Sequence, residues 1–509
     1  MSGNFACYPS PSTSLCLDNF RSTSPPSPHF QHKLIVASKY NIAVVVANNR
    51  ELVAFRSVVD QRIEGTKSRF KVTTLDEEES DIVSIGLNAD DSFLGVLVNR
   101  QQGCFVLIYA VLALSADISG EAFALSTIRI GNAISKGLAF EWNPTTSDIF
   151  AASDDEKTLS VCKLDLDNPS KYGIVGEKKL DANIHEISWS PKGKQLVVGD
   201  ALGRIYQMKP ELELVRMTSP PQMATGVRVV CLCWLSTTEW LVAYSDDQNS
   251  CTSTFILSIK KDKPPTWNPI NLPLQSSFGV TTKLLVDWNL VLIVTPGSSQ
   301  LLSLSKHPVP LRSWYLSNFN QKKYVKSSQR EEGFRPLESL EPQGGTRSLW
   351  TWSVTPLISL PEPAMTDFIT GIAVNLSNTE VCTIGDFSTR RLPTVVLLRS
   401  NGSLHSFWIA PPSKDYPDCY IPSVPIDISM IRHGIRPYPT GPCDSVTISV
   451  PSTMGITTVT APSVSTSMAL QPTYKPSTTP LFSTVPFGFA KVDPNSSQAK
   501  KIRSQPKVL

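Results

Sequence analysis

The chain has 509 residues, 41% of them hydrophobic and 18% charged, with a formal net charge of +3. That is enough apolar material for a large core, and too little positive charge to mark a nucleic-acid-binding domain on its own. The start, MSGNFACYPSPSTSLCLDNF, has no basic stretch leading into an apolar one, so no signal peptide is expected, and the longest apolar run, Cys104–Leu114, is too short to span a bilayer as a helix.

Residues 1–30 are rich in Ser and Pro and are expected to be a flexible N-terminus. Beyond them, short runs of Val, Ile, Leu and Phe alternate with turn residues. Val44-Val45-Val46, Phe93–Val98 and Leu290–Val294 are examples; each is bounded by Asn, Asp, Gly or Pro, and none carries a sustained helical period. The expected fold is all-β.

The runs recur as groups of strand, turn, strand, turn, strand. The clearest is Ile187-Ser188-Trp189-Ser190-Pro191-Lys192-Gly193 through Val198-Gly199-Asp200 to Ile205–Met208. The same order recurs at Leu138–Pro144, Ile149–Ala152 and Leu159–Cys162, and again at Val230–Trp234, Leu241–Tyr244 and Phe255–Leu257. Group starts fall near Lys33, Asp81, Lys136, Ala182, Val227, Lys283 and Asp367, mostly roughly 45 to 55 residues apart, the period of propeller blades. A lone small sheet cannot bury both faces; seven stacked radially cover one another and leave short edges only. The expectation is a seven-bladed β-propeller over residues 31–415, divergent from WD40 repeats because their GH and WD signatures are absent. Trp189 is placed at an inner strand end between blades. Ser190–Gly193 is a tight turn, with Pro setting φ and Gly free for positive φ.

Two stretches break the repeat. Gln61–Ser80 reads as a solvated connector, and the polar region from Ser305 to Met365 reads as an enlarged loop, taken as residues 317–365. Residues 416–443 are expected to be a linker, or an extension packing on the propeller. From 444 to 509 the chain reads as a disordered tail. Ser445–Pro480 is dominated by Ser, Thr, Pro and Val with Lys475 its only charge, and isolated aromatics follow at Phe482, Phe487 and Phe489. Such a segment cannot bury enough surface to offset its ordering entropy. With no stop pattern at its end, the sequence leaves open whether the chain is a fragment or a short form of a longer protein.

Trp189–Leu196 followed by Val197-Val198-Gly199 resembles the fourth blade of the CAN-type FG nucleoporins of the cytoplasmic pore filaments. Lys33–Tyr40 resembles that family's first blade, Trp142-Asn143-Pro144-Thr145 its third, Arg228–Trp234 its fifth and Leu404–Ile409 the closing strand of its seventh. The resemblance covers roughly residues 30 to 410 and implies a seven-bladed propeller followed by a linker and FG-bearing regions. It implies a non-enzymatic component of the nuclear pore complex at its cytoplasmic face. Its propeller would dock the DEAD-box RNA helicase of mRNA export through basic loop residues that meet an acidic surface. Other cytoplasmic-filament nucleoporins would be neighbours, and nuclear transport receptors would bind the FG-like tail through Phe482, Phe487 and Phe489. The family's contacting arginine lies in a loop leading into the last blade, but here Leu357-Ile358-Ser359-Leu360-Pro361 carries no basic residue. The cations of the enlarged loop, Lys322, Lys323, Lys326, Arg330, Arg335 and Arg347, are the candidates to supply that charge. A generic WD40-like scaffold of another cytosolic complex is the alternative.

Other chemistry has little support in the residues. None of the six His lies in a nucleophile motif, and GxSxG, HExxH, the P-loop and GxGxxG are absent. Cys231 and Cys233 share a strand face without a second ligand pair, the pattern of buried thiols rather than a zinc site. No cofactor and no metal are expected. A propeller enzyme would need a channel lined by convergent acids or histidines, and the interior positions read as mostly apolar. Direct RNA binding is disfavoured because the charge is too dilute to neutralise many phosphates.

Overall fold

The structure, a computed structural model, describes residues 6–9, 15–16, 33–56, 71–75, 80–132, 134–222, 224, 228–245, 251–272, 280–295, 298–308, 350–359, 369–377, 381–384, 387–411, 416–425 and 434–436. All lie in one compact unit, Met1–Gly441; the second unit, Pro442–Leu509, lies wholly outside the described residues.

In chain order, β1 (Ala6–Pro9) and β2 (Leu15–Cys16) precede blade 1, made of β3 (Leu34–Ala37), β4 (Ile42–Ala47), β5 (Glu51–Arg56) and β6 (Lys71–Thr74). Blade 2 is β7 (Asp81–Leu87), β8 (Phe93–Arg100), β9 (Gly103–Ala110) and β11 (Ser126–Ile130), with the short β10 (Glu121–Ala122) between its last two strands. Blade 3 is β12 (Gly137–Trp142), β13 (Ile149–Asp154), β14 (Thr158–Leu164) and β15 (Tyr172–Lys179). Blade 4 is β16 (Ile184–Trp189), β17 (Leu196–Asp200), β18 (Ile205–Met208) and β19 (Leu214–Thr218). Blade 5 is β20 (Arg228–Ser236), β21 (Glu239–Ser245), β22 (Cys251–Ser258) and β23 (Thr266–Ile270). Blade 6 is β24 (Thr281–Leu285), β25 (Leu290–Val294), β26 (Gln300–Pro308) and β27 (Trp350–Ser359). Blade 7 combines β28 (Ile369–Asn375), β31 (Thr394–Arg399) and β32 (Ser403–Ala410) with β1 as its outermost strand. A hairpin of β29 (Val381–Ile384) and β30 (Phe387–Arg391) interrupts blade 7, and β33 (Ile435–Arg436) pairs with β10. Every pairing is antiparallel.

The first strand of each blade touches the first strand of the next, from β3 to β7 and on around to β28, which returns to β3. The ring therefore closes with seven blades, as the spacing of the repeats predicts. Backbone hydrogen bonds also close the ring between the two ends of the domain. Ala6 pairs with Ala410 and Pro9 with Phe407, so one sheet is stitched from strands some four hundred residues apart in the chain.

What holds neighbouring blades together is written in the inner strands. Trp142 and Trp189 end β12 and β16, and each is almost fully buried. Trp142 Nε1 donates to the Gly86 carbonyl of blade 2 at 3.1 Å, and Trp189 Nε1 donates to the Glu141 carbonyl of blade 3 at 3.2 Å. These bonds keep the indole N–H satisfied while its rings fill the space between sheets. Phe140 and Phe150 complete the blade 2–3 cluster against Trp142, with ring centroids 5.3–6.1 Å apart. Blade 2 makes room with Gly95, where a Cβ would overlap Phe140 and lie 2.7 Å from Trp142 Nε1. The turn after Trp189 forms as expected. Gly193 takes φ +65° and its N–H donates to Ser190 O at 2.7 Å. Buried Asn143, following Trp142, reaches across to that turn, its Nδ2 donating to Gly193 O at 2.8 Å.

Three stretches differ from expectation. Within the flexible N-terminus expected at 1–30, Ala6–Pro9 and Leu15–Cys16 are strands on β32; a four-residue strand ending in Pro shows no periodicity, and its partner is remote. Within Gln61–Ser80, Lys71–Thr74 is the fourth strand of blade 1, hidden because its inward residues, Lys71 and Thr73, are polar. Buried Lys71 is accommodated by donating to Ala113 O and Ile118 O. Within the enlarged loop, Trp350–Ser359 is the fourth strand of blade 6, paired along β26. Its alternation of Trp350, Trp352, Val354 and Ile358 with Thr and Ser is a strand pattern that the surrounding polar sequence obscures.

Candidate docking faces and central channel

Antiparallel four-stranded blades divide their connections between two faces of the ring. The first-to-second and third-to-fourth connections open on one side, here called the turn face. The second-to-third connections and the blade-to-blade crossovers open on the other, the crossover face.

The inner strands line the axis between them. Glu141 of β12, Glu186 of β16, Cys233 of β20 and Lys283 of β24 sit within electrostatic range of one another, with Asp91 of the blade 2 turn coupled to Lys283. Lys283 is exposed to solvent, yet the surrounding protein lowers its pKa by desolvation against the attraction of Glu141 and Asp91. That combination sets Lys283 among the ionisable groups of the neighbouring inner strands. Glu141 is pushed up to about 8 by burial, opposed by a bond from the Trp189 backbone N–H and by Lys283. Cys233 is pushed up to about 12 by burial, the state of an inert thiol. The expectation of a mostly apolar interior is thus corrected: the inner strands bring acidic and basic side chains, Glu141, Glu186 and Lys283, within electrostatic range of one another. The inward positions of inner strands need no apolar neighbour, because they face the axis rather than the next blade. Among the described residues no three His, Cys, Asp or Glu side chains are grouped to hold a metal ion.

On the crossover face the principal network is in blade 4. Fully buried Asp200 accepts the backbone N–H groups of Leu202 and Arg204, the Arg204 Nε at 2.7 Å and the Tyr206 hydroxyl at 3.2 Å. Arg204 also pairs with Asp181 at 3.1 Å. Asp154 holds the equivalent turn of blade 3 by accepting from Glu156 N and Thr158 N. These carboxylates are turn anchors. Lys33, buried at the start of blade 1 on this face, is lowered to about 8 by desolvation.

On the turn face, ion pairs cross between blades: Lys306 to Glu239 at 2.7 Å and Arg56 to Asp117 at 2.7 Å. This face also carries the segment after blade 7. Residues 416–425 run over the first turns of blades 6, 7 and 1. Trp288 Nε1 donates to Pro417 O at 2.8 Å, Ile421 N–H to Leu376 O at 2.9 Å and Val424 N–H to Lys39 O at 2.7 Å. Farther along, Ile435 and Arg436 pair with β10 of blade 2.

The candidate cations Lys322, Lys323, Lys326, Arg330, Arg335 and Arg347 all lie outside the described residues, as do Phe482, Phe487 and Phe489. Topology still locates the ends of the stretch that carries the cations. It joins β26 to β27, a third-to-fourth connection, so both strand ends that bound it are on the turn face. The crossover from β27 to β28, which leads into the last blade, starts and ends on the opposite face. The enlarged loop therefore does not spring from the face on which the resemblance puts the family's arginine. Neither Trp288 nor Arg391 drew notice in the sequence, although both hold the 416–425 segment. The available signal was a row of prolines, Pro417, Pro422 and Pro425, with no strand of their own.

Residues 29–275 match the family model described as the NUP159/214 beta propeller. The chain is 32% identical over 297 residues to Nuclear pore complex protein 14 of Caenorhabditis elegans, covering 55% of this chain and 21% of that protein. It is 24% identical over 336 residues to Nuclear pore complex protein Nup214 of Drosophila melanogaster, covering 64% of this chain and 17% of that protein. The chain thus spans about a fifth of the length of these curated relatives. Among solved structures, a chain from a complex of S. cerevisiae dbp5 bound to nup159, gle1, ip6 and adp superposes with a TM-score of 0.50 at 14% identity, covering 80% of this chain and 96% of that one. That likeness bears on the fold alone.

Proposed function

We propose, from the match of residues 29–275 to the NUP159/214 β-propeller family, that the chain belongs to that family and serves at the cytoplasmic face of the nuclear pore complex, docking the DEAD-box RNA helicase of mRNA export. The family match is the observation that carries this proposal. The solved complex supports it, because there nup159 is bound with dbp5.

The propeller acts as a rigid binding module and supplies no reaction. Rim connections of a closed ring hold their charges at fixed spacing, and complementary charge raises the association rate and rejects wrong partners more than it adds affinity. Lys322, Lys323, Lys326, Arg330, Arg335 and Arg347 form the basic contact, opposed by an acidic surface of the helicase, so this chain meets the helicase from the turn face, where the strands that bound their stretch end. Phe482, Phe487 and Phe489 engage nuclear transport receptors, and other nucleoporins of the cytoplasmic filaments hold the chain at the pore.

The test is a pull-down of the DEAD-box helicase from cell extract by the full chain, with and without charge reversal of Lys322, Lys323 and Arg330. The expected result is capture that weakens steeply with salt and at least tenfold with the triple reversal. Capture without salt or reversal sensitivity rejects the enlarged loop as the contact. Absence of the helicase at low salt rejects the docking function itself.

A further inference from the structure

Five lysines on the turn face of blades 4 and 5 stand without a counterion. Lys192 and Lys194 flank Gly193 in the β16–β17 turn, and Lys260, Lys261 and Lys263 lie in the β22–β23 turn; all five are exposed and none is paired with a carboxylate. Their neighbours on the same face are paired, Lys209 with Glu213 at 2.6 Å and Lys306 with Glu239 at 2.7 Å. Among the described residues of these turns the unpaired acids are Glu211 and Asp262, so the arc keeps an excess of positive charge. Both turns are tied to their neighbours, which fixes where the five side chains start. In the first, Gly193 N–H donates to Ser190 O at 2.7 Å, and Thr145 Oγ1 of blade 3 donates to Lys192 O at 3.2 Å. In the second, Asp262 takes φ +57° and Lys263 N–H donates to Lys260 O at 3.3 Å. Ile259, which leads into it, donates its N–H to Thr238 O at 2.9 Å and is buried in the cluster between blades 4 and 5.

A lysine already paired must give up its carboxylate to meet another, whereas an unpaired one offers its full charge to a partner. The outer turn of blade 5 stands between blade 4 and the β26–β27 connection of blade 6, the stretch that carries the cations of the helicase contact. We propose that Lys192, Lys194, Lys260, Lys261 and Lys263 form a second basic contact for the acidic surface of the helicase, continuing the first around the turn face from blade 6 to blades 5 and 4. This contact rests on the helicase docking proposed above and adds to it a footprint on turns that the blades hold in place. Protein fits the arc better than RNA. Single-stranded nucleic acid is gripped by aromatic faces on which bases stack, and these two turns carry no aromatic residue. Trp267, which follows the second turn, is already packed against Tyr244 and Phe255, with ring centroids 5.8–6.1 Å apart. Unpaired charges spread over two blades act as a field on the approaching partner, so their main effect is on the association rate.

The test uses the full 509-residue chain and the purified DEAD-box helicase of mRNA export, with association read by stopped-flow fluorescence. The salt is held at about 0.1 M, where charges farther apart than about 10 Å are largely screened. Lys260→Glu with Lys261→Glu and Lys263→Glu is expected to slow association about fivefold or more, and Lys192→Glu with Lys194→Glu about twofold or more. Lys260→Gln with Lys261→Gln and Lys263→Gln, which removes charge without reversing it, is expected to slow association about twofold. The control is Arg50→Glu with Lys136→Glu and Lys157→Glu, three exposed cations of the crossover face, and it should leave the rate within about twofold of the unaltered chain. Unchanged association in both turn-face reversals, while the unaltered chain binds, overturns the contact. Equal slowing by the crossover-face control also overturns it, because the effect is then one of net charge. Failure of the unaltered chain to bind the helicase removes the docking function and this contact with it. A single-stranded oligoribonucleotide that binds the unaltered chain and is lost in the blade 5 reversal, with helicase association unchanged, would assign the lysines to RNA and overturn the contact.

Discussion

Blades 3 and 4 and blade 7 reach the same four-stranded form by opposite routes. Blades 3 and 4 are each drawn from one continuous stretch, and their joints reuse one device: a terminal Trp whose indole bonds to the previous blade. Blade 7 is assembled from three late strands and β1, with a hairpin inserted between the first and second of the late strands. The first kind of blade is specified by contacts local in the sequence. The second can be complete only when both ends of the domain have met, and that closure carries the entropic cost of a very long loop.

The sharpest way to break the local device is Trp142→Ala. It removes a buried indole shared by blades 2 and 3, and the expected loss is about 3–5 kcal/mol, read from urea unfolding. A loss under about 1 kcal/mol would mean that the aromatic joint is ornamental. Gly95→Val attacks the same joint from blade 2 by overpacking, with an expected cost of about 1–3 kcal/mol. Together the two should cost less than their sum, because both act on one contact.

Asn143→Ala leaves the ring stack intact but removes the bond to the blade 4 turn and the cap on Thr145 and Thr146. The expected cost is about 1–3 kcal/mol. The effect of Glu141→Gln should be small near pH 4.5 and should grow with pH. Burial raises the folded pKa of Glu141 from 4.5 to about 8. The folded state therefore holds the proton that the unfolded state gives up, and wild-type stability falls as pH rises from about 4.5 to about 8. Glutamine cannot ionise, so the variant should gain Tm over wild type toward pH 8 and match it near pH 4.5. A constant offset across that range would contradict the raised pKa.

The contrast also explains what was legible. The starts of all seven blades, the inner-strand Trp residues and the Ser190–Gly193 turn rest on local pattern, and the structure has them where the repeats place them. The strands at 6–9, 71–74 and 350–359 are all outermost strands and were hidden each in its own way: the first is four residues ending in Pro, the second turns polar Lys71 and Thr73 inward, and the third lies in polar sequence. Outer strands pair on one edge only, and burial cannot impose a clear period on them. The charged lining of the channel escaped because inner strands read as apolar runs, while the positions facing the axis are free to be Glu141, Glu186 or Lys283. The 416–425 segment has no period at all; its fold-side partners are single residues on three blades. The cations of the β26–β27 connection were legible as charge only, since composition does not say from which face a connection rises.

Everything proposed for the rim depends on the ring being closed by strands from both ends of the propeller domain. The direct test is amide hydrogen exchange across β32 in the intact chain and in the chain lacking residues 1–16. Closure through β1 requires exchange at the β32 amides to quicken at least tenfold on truncation, with β16 to β18 of blade 4 unchanged. Equal protection of β32 with and without those residues would contradict it.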